Sequence, residues 1–431
     1  MQDTIAALAS GRPPSAIAVI RLSGPQAFSA LAALVGGKLP PARRLSLRRL
    51  RCPAHGDLLD EALVAVFPGP RTASGEDLAE LHLHGGPAVV SGVLAALLAL
   101  PGVRLAEPGE FTRRAFANGR LDLAQVEGLA DLVVAETASQ REQALALSGG
   151  ALSRLAESWR GRCIDILAEA EAALDFAEDE ADVADRLNEA ARTELLALVA
   201  ELRALLVDSA RAARIRNGLT IAVSGPPNVG KSSIVNVLAM IDAAIVTPIA
   251  GTTRDPIEVP LNLGGVAATL IDTAGLRETD DPIEAEGIRR ARARAAMADL
   301  VLHVSDMPDA PLPELGWLIL NKQDVHNAPA PIGHFAISAS TGAGIAELRA
   351  NLTQWARDNT RPGEPALLAH ARHRAAFAEA AEALQEAADH GDPLLRTESL
   401  RLAARAFGRI AGRVDVEDVL DRIFSRFCIG K

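Results

Sequence analysis

The spacing of apolar residues changes three times along this chain, and each change marks a different kind of structure. From the start to about Asn118, short apolar runs alternate with turns. Ala16 to Gly24 (AIAVIRLSG) and Ala62 to Phe67 read as strands, and Val89 to Leu100 reads as a helix closed by Pro101-Gly102. From Leu121 to about Arg216 the period lengthens. Leu152, Leu155, Trp159, Cys163, Ile166, Ala170 and Leu174 recur at threes and fours with charges between them, the stripe of an amphipathic helix. Gly218 to about Trp355 has an α/β texture. After the break RPGEP, Arg361 to Pro365, the helical texture resumes through Phe377 and Leu384, stops at Gly391 and ends in a helix around Val414 to Phe427. The simplest organisation is multidomain: an N-terminal α+β domain over residues 1–118, a discontinuous all-α helical domain over 119–216 and 358–431, and an inserted α/β domain over 217–357. Both ends of the insert then enter one helical body, through which a change in the insert can pass as rigid-body motion.

Composition narrows the class. The 431 residues suffice for about three domains, and 23% charged with 49% hydrophobic residues describes a folded, soluble protein. A formal net charge of -11 argues against non-specific nucleic-acid binding by the whole molecule, though not against a local basic site. Cys52, Cys163 and Cys428 lack metal-type spacing and are too few for a disulfide framework, which fits a reducing compartment. An acid stands near the N-terminus where a signal peptide would carry basic residues, and the longest apolar stretch, Ala88 to Leu100, is shorter than a membrane span. A cytoplasmic protein with no membrane span is expected.

Several polar clusters have a plain structural reading beside a chemical one. Arg43 to Arg51 (RRLSLRRLR) fits a charged edge strand better than an RNA patch. His82 and His84 share one face of a strand, and with no third ligand nearby a structural role outweighs a metal pair. Glu110, Arg113, Arg114 and Arg120 form either an anion-binding cluster or a domain hinge. Cys163 falls on the apolar stripe and reads as a small core residue. His370 and His373, one turn apart, read as a solvated helix end.

The stretch Gly225 to Ser233 (GPPNVGKSS) carries sharper chemistry. It follows the apolar run Leu219 to Val223 and precedes a periodic one from Ile234, the setting of a strand that turns into a helix. This is a Walker A loop. Through Asn228, Val229, Gly230, Lys231, Ser232 and Ser233 it can cradle phosphates with backbone N–H groups, reach the β- and γ-phosphates with Lys231 and ligate Mg²⁺ with Ser232. IAGTTRD, Ile249 to Asp255, is a switch-type loop whose Thr253 is a second Mg²⁺ ligand. ATLIDTAG places Asp272 at a strand end for the Mg²⁺ shell, with Thr273, Ala274 and Gly275 beside the γ-phosphate. LILNKQD supplies Asn321, Lys322 and Asp324; the Asp324 carboxylate can accept both the N1–H and the exocyclic amine of guanine. Ser338, Ala339 and Ser340 then resemble the loop that closes over the base. The Walker A loop, ATLIDTAG, LILNKQD and Ser338 to Ser340, four such elements in order, point to GTP. Leu276 stands where many GTPases place a water-orienting Gln, so another group must serve, and Glu278, Asp280, Asp281, Glu284 and Glu286 are the candidates. Arg254 and Arg277 are both near, and neither is singled out as an arginine finger.

Together GPPNVGKSS, IAGTTRD, DTAGLRE, PGEF…NGRLDLAQ and the C-terminal FCIGK resemble one family over the whole chain, the tRNA-modification GTPases called MnmE or TrmE. The resemblance implies that residues 1–118 form a tetrahydrofolate-binding and dimerisation domain and residues 217–357 a Ras-like GTPase domain. It implies a homodimer that joins an FAD-dependent partner, MnmG, in a heterotetramer or larger complex. This assembly would add an aminomethyl- or carboxymethylaminomethyl-type group to the wobble uridine of certain tRNAs. The family's motifs assign Asn228, with Thr247, Ile249 and Thr252, to a K⁺ ion that replaces an arginine finger, and Glu284 to the attacking water. They assign Arg21, Glu80, Arg120 and Lys431 to a tetrahydrofolate derivative, 5-formyl- or methylene-tetrahydrofolate. Cys428 matches the family's functional cysteine, whereas its own surroundings suggest a buried core thiol. The chain departs from the family at Pro226, at Arg120 and in DMPDAPLPELGW, Asp306 to Trp317, where a longer strand-and-helix connection is usual and a trimmed helix is expected. A rival reading is a GTPase switch in RNA or ribosome assembly without modification chemistry. Such switches usually carry an RNA-binding module, whereas this chain offers Arg21, Glu80 and the FCIGK tail.

Overall fold

The computed structural model describes residues 3–176, 181–243, 258–272, 293, 295–327, 329–361, 366–390, 392–412, 420, 423–424, 427 and 430. The chain divides into two compact units, one of residues 1–130, 147–164 and 404–431, the other of 131–146 and 165–403.

The first unit is built on a six-stranded sheet. Its elements are β1 (Thr4–Leu8), β2 (Ile17–Ser23), α1 (Ala27–Val35), β3 (Ser46–Arg51), β4 (Leu58–Phe67), β5 (Leu78–His84), α2 (Pro87–Leu98), β6 (Val103–Leu105) and α3 (Glu110–Ala117). The strands lie in the order β3-β4-β5-β2-β1-β6, antiparallel except where β1 meets β6. Period-two alternation sends Ala18, Ile20 and Leu22 of β2 and Leu81 and Leu83 of β5 into a core shared with Leu31, Leu34, Val93 and Leu97 of α1 and α2. The arginine-rich run is the edge strand β3: Leu50 alone is buried, while Arg49 and Arg51 face water, where charge discourages pairing with another chain. His82 and His84 do share a face of β5, and each meets a carboxylate, Glu80 at 3.4 Å and Asp60 at 2.7 Å.

The Glu110 cluster turns inward. Arg114 is fully buried and donates to Asp3, Glu76 and Glu110 at 2.9–3.1 Å, while Arg104 reaches Asp3 and Glu110. Arg113 stacks over the Phe424 ring, 5.2 Å from its centroid. The network therefore ties the start of β1, the approach to β5, β6 and α3 to one another.

The helical stretch contains α4 (Leu123–Val134), α5 (Ala138–Ser148), α6 (Ala151–Phe176) and α7 (Ala181–Asn217). Along α6 the stripe Leu152, Trp159, Cys163, Ile166 and Ala170 is buried. Burial pushes the Cys163 thiol up to about 12, so it stays protonated and unreactive at neutral pH.

In the second unit a further sheet follows α7: β7 (Leu219–Ser224), α8 (Lys231–Ala243), β8 (Glu258–Leu263), β9 (Val266–Asp272), β10 (Leu300–Ser305), β11 (Trp317–Leu320), α9 (Gln323–His326), β12 (Phe335–Ala336) and α10 (Ile345–Thr360). Its order is β12-β11-β10-β7-β9-β8, parallel except for β8. Ile221, Val223, Leu302 and Ile319 pack with Ile234, Leu238, Leu348 and Leu352 from α8 and α10 on one face. Residues 306–316 join the parallel strands β10 and β11 without a helix, where the sequence suggested a trimmed one.

Two further helices follow, α11 (Ala371–Asp389) and α12 (Pro393–Ile410). Here the expectation for the histidines is overturned. His373 is fully buried, and His370 Nε2 lies 2.7 Å from the Asp131 carboxylate, which also accepts from Arg216 Nε at 2.9 Å. The partner is remote in sequence, so the local spacing gave no sign of it. Of the helix expected around Val414 to Phe427, residues 414–419, 421–422 and 425–426 lie outside the described residues. Among the described residues no helix is long and apolar enough to cross a membrane, and no group of three or more metal-ligating side chains forms.

Candidate functional site

β7 ends at Ser224 between β9 and β10, where the strand order reverses; open α/β sheets bind ligands beyond the strand ends at such a point. The chain leaves β7 through Gly225 (φ 141), where a Cβ would lie 2.1 Å from the Val304 carbonyl oxygen. Only glycine allows so close a departure. Asn228 turns left-handed (φ 63), and at Gly230 a Cβ would lie 2.2 Å from Asn321 Nδ2. α8 then begins at Lys231, so a tight turn feeds a helix N-terminus whose first N–H groups lack intrahelical partners.

The expected nucleotide residues converge on this turn. Lys231, buried, donates to the carbonyls of Gly225 at 2.9 Å and Pro226 at 2.6 Å. Ser232 Oγ donates to Asp272 Oδ2 at 2.7 Å, which brings together two of the groups expected around Mg²⁺. Asn321 clamps two loops: its Nδ2 donates to the Val229 carbonyl at 2.8 Å, and its Oδ1 accepts from Ala339 N–H at 3.0 Å. Lys322 is left-handed (φ 62) and donates to Asp306 at 2.6 Å. Asp324 accepts from Ser338 at 2.6 Å and from Ser340 at 3.2 Å. The Ser338 hydroxyl foremost holds the Asp324 carboxyl below its ordinary range, so it stands ionised as a double acceptor. Thr247, Ile249, Thr252, Thr253, Thr273, Ala274, Gly275 and Glu284 lie outside the described residues, as do Cys428 and Lys431.

The first unit holds a cavity of about 440 Å³ whose wall includes Arg21, Thr72, Ser74, Phe111, Arg120 and Leu129. Arg21 donates to Glu80 on the neighbouring strand at 2.8 and 3.0 Å and lies 5.9 Å from the Phe111 ring centroid. Arg120 Nε donates to the Thr72 carbonyl at 3.2 Å. The wall is mainly apolar, with two guanidinium groups at it. Thr72, Ser74 and Leu129 were not anticipated from sequence. They have no motif of their own and reach the cavity only because β5, α3 and α4 meet there.

Residues 4–120 match the family model of the GTP-binding protein TrmE N-terminus, and residues 123–428 that of the MnmE helical domain. Curated relatives run the full length. The tRNA modification GTPase MnmE of Azorhizobium caulinodans is 54% identical over 434 residues, covering 100% of this chain and 99% of its own. The proteins of the same name from Methylobacterium radiotolerans and Rhodopseudomonas palustris are 52% and 49% identical over 441 residues, with the same coverage. Two family models in the expected order, and relatives half-identical from end to end, agree with the guanine-type loops around β7: the chain belongs to the MnmE (TrmE) family of tRNA modification GTPases.

Proposed function

We propose that this chain is a K⁺-dependent GTPase that acts as a homodimer with an FAD-dependent MnmG partner, in a heterotetramer or larger complex. In the cytoplasm it installs an aminomethyl- or carboxymethylaminomethyl-type group on the wobble uridine of certain tRNAs, and GTP hydrolysis drives its conformational cycle. The observation that carries the reading is the meeting of Lys231, Ser232, Asp272, Asn321 and Asp324 at one end of one sheet. In this reading Asn228 to Ser233, with Thr247, Thr253 and Asp272 to Gly275, surround the phosphates. Asn321, Lys322, Asp324, Ser338 and Ala339 surround the guanine. The Ser232 hydroxyl and Asp272 carboxylate are the hard oxygen donors that Mg²⁺ takes, with Thr253 as a further ligand, and the Asn228 amide oxygen, with Thr247, Ile249 and Thr252, suits K⁺. Bound there, the two cations would offset charge that develops on the phosphoryl oxygens. Lys231 exchanges loop carbonyls for phosphate oxygens, and Glu284 orients the attacking water.

The cavity in the first unit supports the second half of the reading. Arg21, held by Glu80, and Arg120 would meet the carboxylates of a 5-formyl- or methylene-tetrahydrofolate, with Lys431 and a chemically active Cys428 completing the site. Residues 1–118 then form the folate-binding and dimerisation domain, 119–216 and 358–431 the helical domain, and 217–357 the GTPase domain. Mass spectrometry of wobble uridines tests the function. Cells without this protein should lack the modified nucleoside and regain it from a plasmid copy; an unchanged nucleoside profile would overturn the proposal.

A further inference from the structure

Parallel neighbours such as β10 and β11 are usually joined by a dozen or more residues that form a helix. Here residues 306–316 cross as a bare strap. Register shows which side chains share a sheet face near it: Val301 pairs with Ala222, and His303 lies between Ser224 on β7 and Leu318 on β11. A groove of about 630 Å³ runs between the strap and the loop after β7, and Gly225, Pro226, His303 and Leu315 belong to its wall.

His303 bridges that groove. Its Nε2 lies 3.0 Å from the Leu315 carbonyl oxygen, and its Nδ1 lies 3.1 Å from Ser224 Oγ. A carbonyl can only accept, so Nε2 donates to Leu315, and Nδ1 shares a hydrogen bond with the Ser224 hydroxyl. Ser224 directly precedes Gly225, where the phosphate loop begins. Two glycines bracket the ring. A Cβ at Gly316 would lie 2.3 Å from the Val301 carbonyl oxygen and 3.3 Å from His303 Cδ2, just as one at Gly225 would meet the Val304 carbonyl. Strap and phosphate loop thus both press against β10 without side chains, and one imidazole spans the distance between them. The strap's other end is tied to the guanine motif through Asp306 and Lys322.

We propose that His303 is a positioning residue for GTP: it acts through Ser224, fixes where the phosphate loop leaves β7, and anchors that point to the strap that replaces the crossover helix. The inference rests on the reading of Gly225 to Ser233 as the phosphate loop. A ring that merely fills space would be replaced best by another ring, whereas a two-sided hydrogen-bond bridge is replaced best by an amide that can both donate and accept.

The test uses the full-length chain and measures GDP affinity by fluorescence titration, KM and kcat for GTP, and thermal unfolding. His303→Phe and Ser224→Ala should each weaken GDP binding and raise KM about 3- to 10-fold, with kcat within about twofold of the parent. The double variant should be no worse than His303→Phe alone, because Phe already removes the contact that Ser224→Ala deletes. His303→Gln should stay within about twofold of the parent. The proposal is overturned if Phe preserves affinity better than Gln, or if Ser224→Ala, which deletes only a hydroxyl and carries the test should His303→Phe not fold, leaves GDP affinity unchanged. Lys231→Ala serves as the control: unchanged GDP binding there would instead remove the phosphate-loop reading.

Discussion

Asp324 has both carboxylate oxygens oriented by hydroxyls, Ser338 on one and Ser340 on the other, and the Ser338 bond holds its carboxyl below the ordinary range. An ionised carboxylate accepts twice; an amide accepts once and donates once. Asp324→Asn should therefore weaken GDP binding at least about tenfold, since a hydrogen bond to a charged group contributes about 1.5–3 kcal/mol. The same variant should gain affinity for xanthosine diphosphate, whose base carries a carbonyl where guanine carries the amine. Competition titration with the two nucleotides checks this, and an unchanged preference for guanine would show that Asp324 is not the base selector. Gly230 illustrates the opposite constraint. Any side chain there would strike Asn321 Nδ2, the group that clamps Val229 to the base loop.

Between elements, a polar network of Asp3, Glu76, Arg104, Glu110 and Arg114 links β1, β6, α3 and the approach to β5. Glu110 opens α3, where a carboxylate suits the helix dipole, and pairs with Arg114 one turn later. Burial alone would raise the Glu110 carboxyl, but hydrogen bonds from Arg104, the Glu107 N–H and Arg114 outweigh it and leave the group below its ordinary 4.5. Asp3 is likewise held low, chiefly by Arg104. A depressed carboxylate contributes stability that is full above its unfolded value and is lost as pH falls through the folded one. Unfolding by urea should therefore become easier as pH drops below about 4.5. Glu110→Gln should cost about 2 kcal/mol at pH 7 yet flatten that acid decline. Parallel pH profiles for the two proteins would show that Glu110 carries none of it.

At the scale of the whole molecule, the inserted α/β region is entered from α7 and left toward α11, and both crossings are tied to the same pair of helices. Asp131 of α4 accepts from Arg216, the penultimate residue of α7, and pairs with His370, which caps α11. Gln143 of α5 donates to the carbonyls of Ala212 and Ala366, one on each crossing. Both ends of the α/β region are therefore tied to α4 and α5. If K⁺ completes the nucleotide site through Asn228, exchange of K⁺ for Na⁺ should slow GTP turnover by about tenfold or more, while the chain sediments as a dimer in both salts. A rate indifferent to the cation would count against Asn228 as its ligand.

The sequence by itself determined what is encoded locally. Strand and helix periods located elements such as β2, β4, α2, α6 and β7, because burial repeats at two or at three to four residues along each of them. The phosphate loop and the guanine motif were legible because each carries its chemistry in a contiguous run, Asn228 to Ser233 and Asn321 to Asp324. Only the tertiary structure decided which distant groups meet. It brought Asp131 to His370, Asp3 to Arg114, and Thr72, Ser74 and Leu129 to one cavity with Arg21 and Arg120. It also set His303 between Ser224 and Leu315, two residues no local pattern connects. A hydrogen bond or a cavity wall depends on separation in space, and separation in space is fixed by packing of whole elements, which no local period records.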